Sequence, residues 1–444
     1  MTTTTTPRND PKNIFGWCMY DWANSAYITT VSVGLLPIYF TSVVVPAEGV
    51  TILGTQFEAA SLLPFAIGFS AALTFLFAPI LGAISDFSAT KKKFVLFFAY
   101  MGSLATLLLY FSGAGDVVLT LVLFIIAQTS FVAANVFYDA FLPQIVSRDQ
   151  MDVVSGKGYS YGYVGGGLQF AIAMGVVLAA EPLGISADTA ARIGIVMAAV
   201  WWAGFSLFTL KYLRESGEPT PMPDEFRTRP RPLALAAIGL TRIIGTTRRI
   251  GRFRHLVLFL VAFMFYNDGI QAVIAMATLY GKDELGLSDG TLMGTLLVIQ
   301  FVAIAGALIF SRLAGRVGTK RAIMITLVIW SGIVIYAYFI ETASEYFALG
   351  GLVGIVMGGS QALSRSFYGS MVPPEASAEF YGFYSVFSKF SAIWGPFLFG
   401  AVNLVTGSSR SAIVSLIIFF IVGLVLLYFV DEDKARLAGA EGAF

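Results

Sequence analysis

Five ionisable side chains interrupt otherwise apolar stretches of this chain: Asp21, Asp139, Asp268, Arg365 and Lys389. An ionised group at membrane depth costs about 2.5–3.5 kcal/mol or more, so each should face protein or water rather than lipid. Asp21 lies in Phe15-Gly-Trp-Cys-Met-Tyr-Asp-Trp-Ala-Asn-Ser-Ala-Tyr27, the opening of an apolar run that reaches about Val45. Asp268 has Asn267 and Gln271 beside it, and Asn24 follows Asp21 by one helical turn. These types suit a zwitterionic solute. Arg365 or Lys389 would meet a carboxylate through charge-assisted hydrogen bonds, and Asp268 or Asp21 would meet an ammonium group. Trp22 and Tyr266 stand next to the two aspartates and are candidate cavity walls. A desolvated aspartate can also carry a proton, which makes proton coupling through Asp268 or Asp21 a second expectation. The competing reading is a set of static buried pairs needed only for folding.

The elements that must hold these groups follow from composition. The 444 residues are 57% hydrophobic and 12% charged, with a mean hydropathy of +0.78, which points away from a soluble globular or disordered chain. A formal net charge of +1 gives no reason to expect a nucleic-acid partner. Cys18 is the single cysteine, so no intramolecular disulfide or multi-cysteine metal site can form, and no cofactor is expected. The single histidine, His255, sits beside Arg252 and Arg254 at a helix start and reads as interfacial. No nucleotide-binding motif or nucleophile constellation is present, and an enzyme is not expected. The polar start, Met1 to Asp10, lacks the apolar core of a signal peptide, so the first span is expected to be retained as the insertion signal.

Periodicity and length give twelve spans, near 14–45, 57–84, 94–112, 117–142, 157–180, 190–213, 256–280, 290–311, 320–340, 345–369, 380–405 and 411–430. The expectation is an all-α membrane protein, twelve transmembrane helices in two pseudo-symmetric six-helix bundles. The bundles are 1–213 and 256–430, joined by a 214–255 linker and followed by a 431–444 tail. One set of connections carries Arg8, Lys12, Lys91, Lys92, Lys93, Arg148, Lys157, Arg312, Arg316, Lys320, Arg321, Lys434 and Arg436, and the other only Arg192, Lys282 and Arg410. That asymmetry puts both termini in the cytosol, with a bacterial inner membrane as the expected location. Counted from the cytosolic ends at the α-helical rise, Asp268 lies roughly 18 Å in, near the bilayer middle. Asp21 and Lys389 lie nearer the cytosol, and Asp139 and Arg365 close to it. Asp268 is therefore the central-site candidate. The other four read as a gate whose ion pairs break and reform. The linker begins with Pro219, Pro221, Pro223, Pro230 and Pro232, then mixes Ile238, Leu240, Ile243 and Ile244 with Arg242, Arg248, Arg249 and Arg252. It reads as an extended segment followed by an amphipathic helix on the anionic inner leaflet.

The halves repeat. Tyr20-Asp21 in span one has a counterpart in Tyr266-Asn-Asp268 of span seven. Span four ends Phe137-Tyr138-Asp139-Ala-Phe-Leu-Pro143, and span ten ends Phe367-Tyr368-Gly369-Ser-Met-Val-Pro373, which sets Arg365 in the place of Asn135. Between spans two and three lies Gly82-Ala-Ile-Ser-Asp86-Phe-Ser-Ala-Thr-Lys-Lys-Lys93, matched between spans eight and nine by Gly315-Arg316-Val-Gly318-Thr-Lys320-Arg321. Repeats of this kind mark transporters. The turn with its aspartate and lysines, and the twelve spans divided by a central loop, resemble the major facilitator superfamily. Phe87 and Ala89 depart from its usual arginine and glycine, and Gly315 stands in the aspartate position of the second copy. Tyr20-Asp-Trp-Ala-Asn-Ser-Ala-Tyr27, Gln361-Ala-Leu-Ser-Arg-Ser-Phe367 and Phe380-Tyr-Gly-Phe-Tyr-Ser-Val-Phe-Ser-Lys389, running on to Gly395-Pro396, look like the branch of fungal autophagy-related vacuolar amino-acid effluxers. The resemblance implies a permease that moves a small solute, here expected to work by rocking alternating access. From their own positions, Asp139 near the cytosolic end of its span and Asp86 and Arg316 in the cytosolic loops are expected to act in gating. A monomer is expected, and amino acids are the implied substrates. Two rivals are an exporter of amphipathic or drug-like compounds, and a non-transporting sensor or scaffold acting through the basic central loop. Gly165-Gly-Gly167 lacks the lysine and strand of a phosphate loop and reads as a close helix contact.

Overall fold

The computed structural model describes residues 7–46, 49–52, 55–57, 59–215, 219–248 and 250–440. Among these, twelve helices are long and apolar enough to cross a membrane: Pro11–Val44, Leu62–Ser88, Lys91–Phe111, Val117–Ile145, Arg148–Leu178, Ala187–Tyr212, Gly251–Lys282, Gly290–Val317, Thr319–Ala337, Ala343–Met371, Pro374–Thr406 and Ser409–Tyr428. They are spans one to twelve below. Each closes its own backbone hydrogen bonds, which hydrocarbon demands. The connection after span one also holds a two-stranded antiparallel hairpin, Val50–Ile52 with Thr55–Phe57. The end bearing Lys91, Lys92, Lys93, Arg148 and Lys320 is called the basic end.

Spans one and eleven depart furthest from regular α-helix. Span one widens into π-helical turns over Tyr27–Leu35 and Phe40–Val44. Span eleven is broken, running Ser377–Phe390 and then Trp394–Thr406. Pro396 sits in the first turn of the second piece, where its missing N–H loses no hydrogen bond.

Glycines let the spans approach. A Cβ on Gly165 would collide with the Trp22 carbonyl, and one on Gly158 with the Trp17 ring and the Arg365 guanidinium. Span five therefore lies directly against span one. Gly358 meets Ala303 and Gly359 meets Phe310 in the same way, joining spans ten and eight. Outside the bundle, the linker forms a helix, Arg231–Arg248. The tail forms another, Glu432–Ala440, with Gly439 on the Met371 carbonyl.

Candidate transport cavity and its closed end

A cavity of about 520 Å³ runs between the halves. Span one lines it with Asp21, Asn24, Ser25 and Ile28, at the i, i+3, i+4, i+7 spacing of one helix face. Span seven lines it with Asn267, Ile270, Gln271 and Ile274, the same spacing in the second half. Lys389, Ser385 and Ser388 enter from span eleven, and Gln361, Ser364 and Arg365 from span ten. Toward the end opposite the basic one, the wall continues through Tyr280, Leu292, Tyr346 and Ile413.

At the basic end the halves are bonded to one another. Arg365, 2% exposed, donates from Nη1 to Asp21 at 3.2 Å and to Asp139 at 3.1 Å. Its Nε donates to Ser155 Oγ at 3.1 Å and its Nη2 to the Ser155 carbonyl at 2.9 Å. The guanidinium lies 4.8 Å from the centre of the Trp17 ring, 5.5 Å from Tyr138 and 4.1 Å from Tyr159. Tyr138 also donates its hydroxyl to Asp21 at 2.7 Å. A buried cation is tolerable when its donors are satisfied and its charge is matched, and here every element of that cage except Arg365 belongs to the first half.

Further contacts across the halves close this end, among them those of Asp86 and Asp152. Asp86 accepts from the backbone N–H of Ala378 at 3.3 Å and of Glu379 at 2.9 Å, at the start of span eleven, and pairs with buried Lys91 at 2.5 Å. A carboxylate at a helix N-terminus is doubly favoured, by the free N–H groups and by the helix dipole. Asp152 of span five accepts from Thr319 Oγ1 at 2.7 Å and from Ser366 Oγ at 2.5 Å. At the opposite end, the ion pairs Arg410–Glu284 and Arg192–Asp188 each stay within one half.

Several candidate residues lie elsewhere than their sequence context implied. Asp268 does not line the cavity. Its carboxylate accepts from Trp394 N–H at 3.2 Å and Gly395 N–H at 2.8 Å, capping the second piece of span eleven, while Asn267 donates to Ser391. Trp22 also points away, stacked on Trp201 with ring centres 5.9 Å apart. Tyr266 lines the cavity and bonds Ser364 at 2.6 Å. Arg316 is exposed and has no polar contact among the described residues, and Thr319 makes the cross-half bond in that loop. Of the four gate candidates, Asp21, Asp139 and Arg365 form one cluster. Lys389 is apart from it, facing the cavity without a carboxylate partner among the described residues. Asn135, in the register position of Arg365, accepts from Asn24 at 2.7 Å. Sequence reasoning missed Asp152, Lys91 as the partner of Asp86, and the aromatic cage of Arg365. Trp17, four residues before Asp21 and so on the same helix face, carried the visible signal for that cage.

Two six-helix halves around a central cavity, with polar contacts across the halves at one end, define a secondary transporter of the major facilitator superfamily. The chain belongs to the vacuole effluxer Atg22-like family, whose description matches residues 9–440. A protein of Bacillus subtilis (strain 168) described as the uncharacterized MFS-type transporter YxiO is 35% identical, over 94% of this chain and 95% of its own. Autophagy-related protein 22 of Pyricularia oryzae is 24% identical, over 96% of this chain and 77% of its own. Among solved structures, the human organic anion transporter MFSD10 superposes with a TM-score of 0.69 at 14% identity, covering 94% of this chain and all 100% of its own. FucP in its outward conformation gives 0.68 at 13%, covering 95% and 99%. At such identities these two likenesses speak for the fold. The chain is an integral membrane protein that moves a small molecule, and catalysis is not its function.

Proposed function

We propose that this transporter carries solutes bearing a carboxylate, amino acids foremost, by rocking the two halves about the central cavity. The observation that carries this reading is Lys389, an ammonium group in the cavity wall with no carboxylate partner among the described residues. Arg365 cannot serve while two aspartates hold it. Asp21 faces the same cavity, and because its bonds to Arg365 and Tyr138 both end on Oδ2, its Oδ1 can meet a substrate ammonium, whereas both oxygens of Asp268 accept from backbone N–H groups. Gln271, Asn267, Ser385 and Ser388 supply uncharged hydrogen-bonding groups in the same cavity wall. A cavity of this volume falls in the usual range for small-molecule sites.

The distribution of Lys and Arg supports an orientation with both termini and the basic end in the cytosol, in the inner membrane of a bacterium. In that frame the structure is closed to the cytosol. Opening there requires Arg365 to part from Asp21 and Asp139, leaving buried charges uncompensated. Protonation of an aspartate lowers that cost, which is how a proton gradient would couple to the cycle, with the protein working as a monomer. The apolar wall of Phe131, Phe170, Phe263, Ile270, Leu292 and Leu296 favours a second reading, export of amphipathic compounds.

The test is exchange of labelled amino acids by purified protein in liposomes. Saturable counterflow is expected, with KM raised about tenfold in Lys389→Gln, the loss of one charge-assisted hydrogen bond, and partly restored in Lys389→Arg. Absence of exchange by folded, inserted protein for every amino acid would discard this substrate class. Counterflow of an amphipathic cation unaffected by Lys389→Gln would favour the second reading.

A further inference from the structure

The linker helix Arg231–Arg248 has two apolar faces, and the protein covers one of them. Ala234, Ile238 and Gly239 are buried, and Gly239 lies so close to span two that a Cβ there would touch the Ile80 carbonyl at 3.1 Å and Ile84 at 2.9 Å. Arg242 turns to the same side, with Nε 3.8 Å from Glu379 of span eleven. The chain leading into the helix is tied down as well. Glu215 accepts from the N–H groups of Lys91 and Lys92, and Thr220 N–H donates to the Phe87 carbonyl at 2.9 Å.

The opposite face carries Leu233, Leu240 and Ile244, exposed by 63%, 51% and 43%, with exposed Ala236 among them. Their spacing of seven and four residues aligns them in a single stripe along the helix. Exposed arginines bracket that stripe, Arg229 and Arg231 before it and Arg248 and Arg254 after it. From Phe226 to Asn267 the sequence contains no acidic residue. Span two continues the apolar surface, with Phe75, Leu76 and Phe77 each about half exposed.

We propose that this helix is a docking surface for anionic phospholipid, its Leu233–Leu240–Ile244 stripe seated among the acyl chains and its flanking arginines on the headgroups. Charge selects this occupant. An apolar stripe alone would enter any bilayer, whereas cations at both ends without an intervening acid gain only from a negatively charged surface. Attachment to span two fixes the helix at the rim of the spanning region, and the contact to Glu379 places it across spans two and eleven, whose junction at Asp86 helps to shut the basic end. Lipid held there would bear on the closed state.

The experiment places a bimane fluorophore at Leu240→Cys in the full-length protein. Native Cys18 is buried, which directs labelling to the introduced thiol. The protein is reconstituted in phosphatidylcholine–phosphatidylglycerol vesicles whose bromine label is carried by one lipid or the other, at equal total bromine. Quenching about twofold stronger with brominated phosphatidylglycerol is expected, in keeping with the pull of several surface arginines. That preference should vanish in R229Q/R231Q/R248Q, whose changes are all at exposed positions, and should weaken at high salt. Equal quenching by both lipids would overturn the charge argument. A blue-shifted but unquenched label would mean that protein covers the stripe, and a solvent-like label that nothing does; either overturns the proposal. If Leu240→Cys fails to fold, Ile244→Cys reads the same stripe.

Discussion

In span one Tyr20 is followed directly by Asp21, whereas in span seven Tyr266 is followed by Asn267 and only then by Asp268. One residue is about 100° of rotation on a helix. With the tyrosines aligned, Asp21 and Asn267 occupy equivalent places and both line the cavity, as do Ser25 and Gln271, and Ile28 and Ile274. Trp22 and Asp268 are the other equivalent pair, and both turn away. The acid of the first half therefore reaches across to Arg365, and that of the second half caps a broken helix within its own half. The connecting loops differ in the same sense. Between spans two and three, Asp86 meets Lys91 and the start of span eleven; between spans eight and nine, Gly315 offers no carboxylate and Asp152 of span five supplies one instead. The same outline is kept while charged work at the closed end falls to the first half's acids.

The most damaging way to break this asymmetry is Arg365→Gln. It leaves Asp21 and Asp139 facing each other with no cation, and removal of one partner from a buried cluster costs about 3–5 kcal/mol. A large fall in melting temperature and loss of exchange are expected, with Arg365→Lys intermediate because it keeps charge but loses the fork. A variant as stable as the parent would show that the cage stores no interaction of this kind.

The two loop acids come next. Asp86→Ala strands Lys91, whose side chain is 3% exposed, and should cost about 3 kcal/mol. Asp152→Ala removes an acceptor for two hydroxyls and should cost about 1 kcal/mol. Equal losses in a thermal-shift assay would contradict the unequal division of labour. Asp268→Ala should cost about 1 kcal/mol as a lost helix cap, with Asp268→Asn retaining most of it. Asn267→Ala, by contrast, should raise KM by more than it lowers the melting temperature.

Much of the architecture was readable because its causes are local. Spans follow from runs of apolar residues, and the division into six and six from the Pro- and Arg-rich linker. Families of buried charge were also readable, since Asp21 and Arg365 are conspicuous among apolar neighbours. Their directions were not. Asp268 stood out as an acid at mid-depth, but residue type does not report the rotation that separates it from Asn267. Its partner, the N-terminus inside span eleven, exists because the helix breaks at 391–393, and Pro396 was the hint. The linker was readable as amphipathic, while its second apolar face on span two depends on Gly239 meeting Ile80 and Ile84, a contact between segments far apart in sequence. Arg316 illustrates the converse, a residue that fits the loop pattern while Thr319 beside it makes the bond.

The smallest expected effect concerns Glu215, which ties the linker to the first half's loop and has no counterpart in the second. Burial raises its carboxyl above the ordinary glutamate range, opposed by the N–H groups of Lys92 and Lys91 and by the Lys91 charge. With a folded value above the unfolded one, its contribution is fully present below the unfolded value of about 4.3 and is lost as pH rises through the folded value. Glu215→Gln removes that titration and keeps an acceptor for one N–H. The melting temperature of the parent relative to the variant should therefore fall as pH rises above about 4.3, by less than a lost cap costs, since the side chain is half-buried and partly screened. A difference that grows with pH would mean that the two N–H groups and Lys91 outweigh burial, and the first half's loop would then be held to the linker by charge rather than in spite of it.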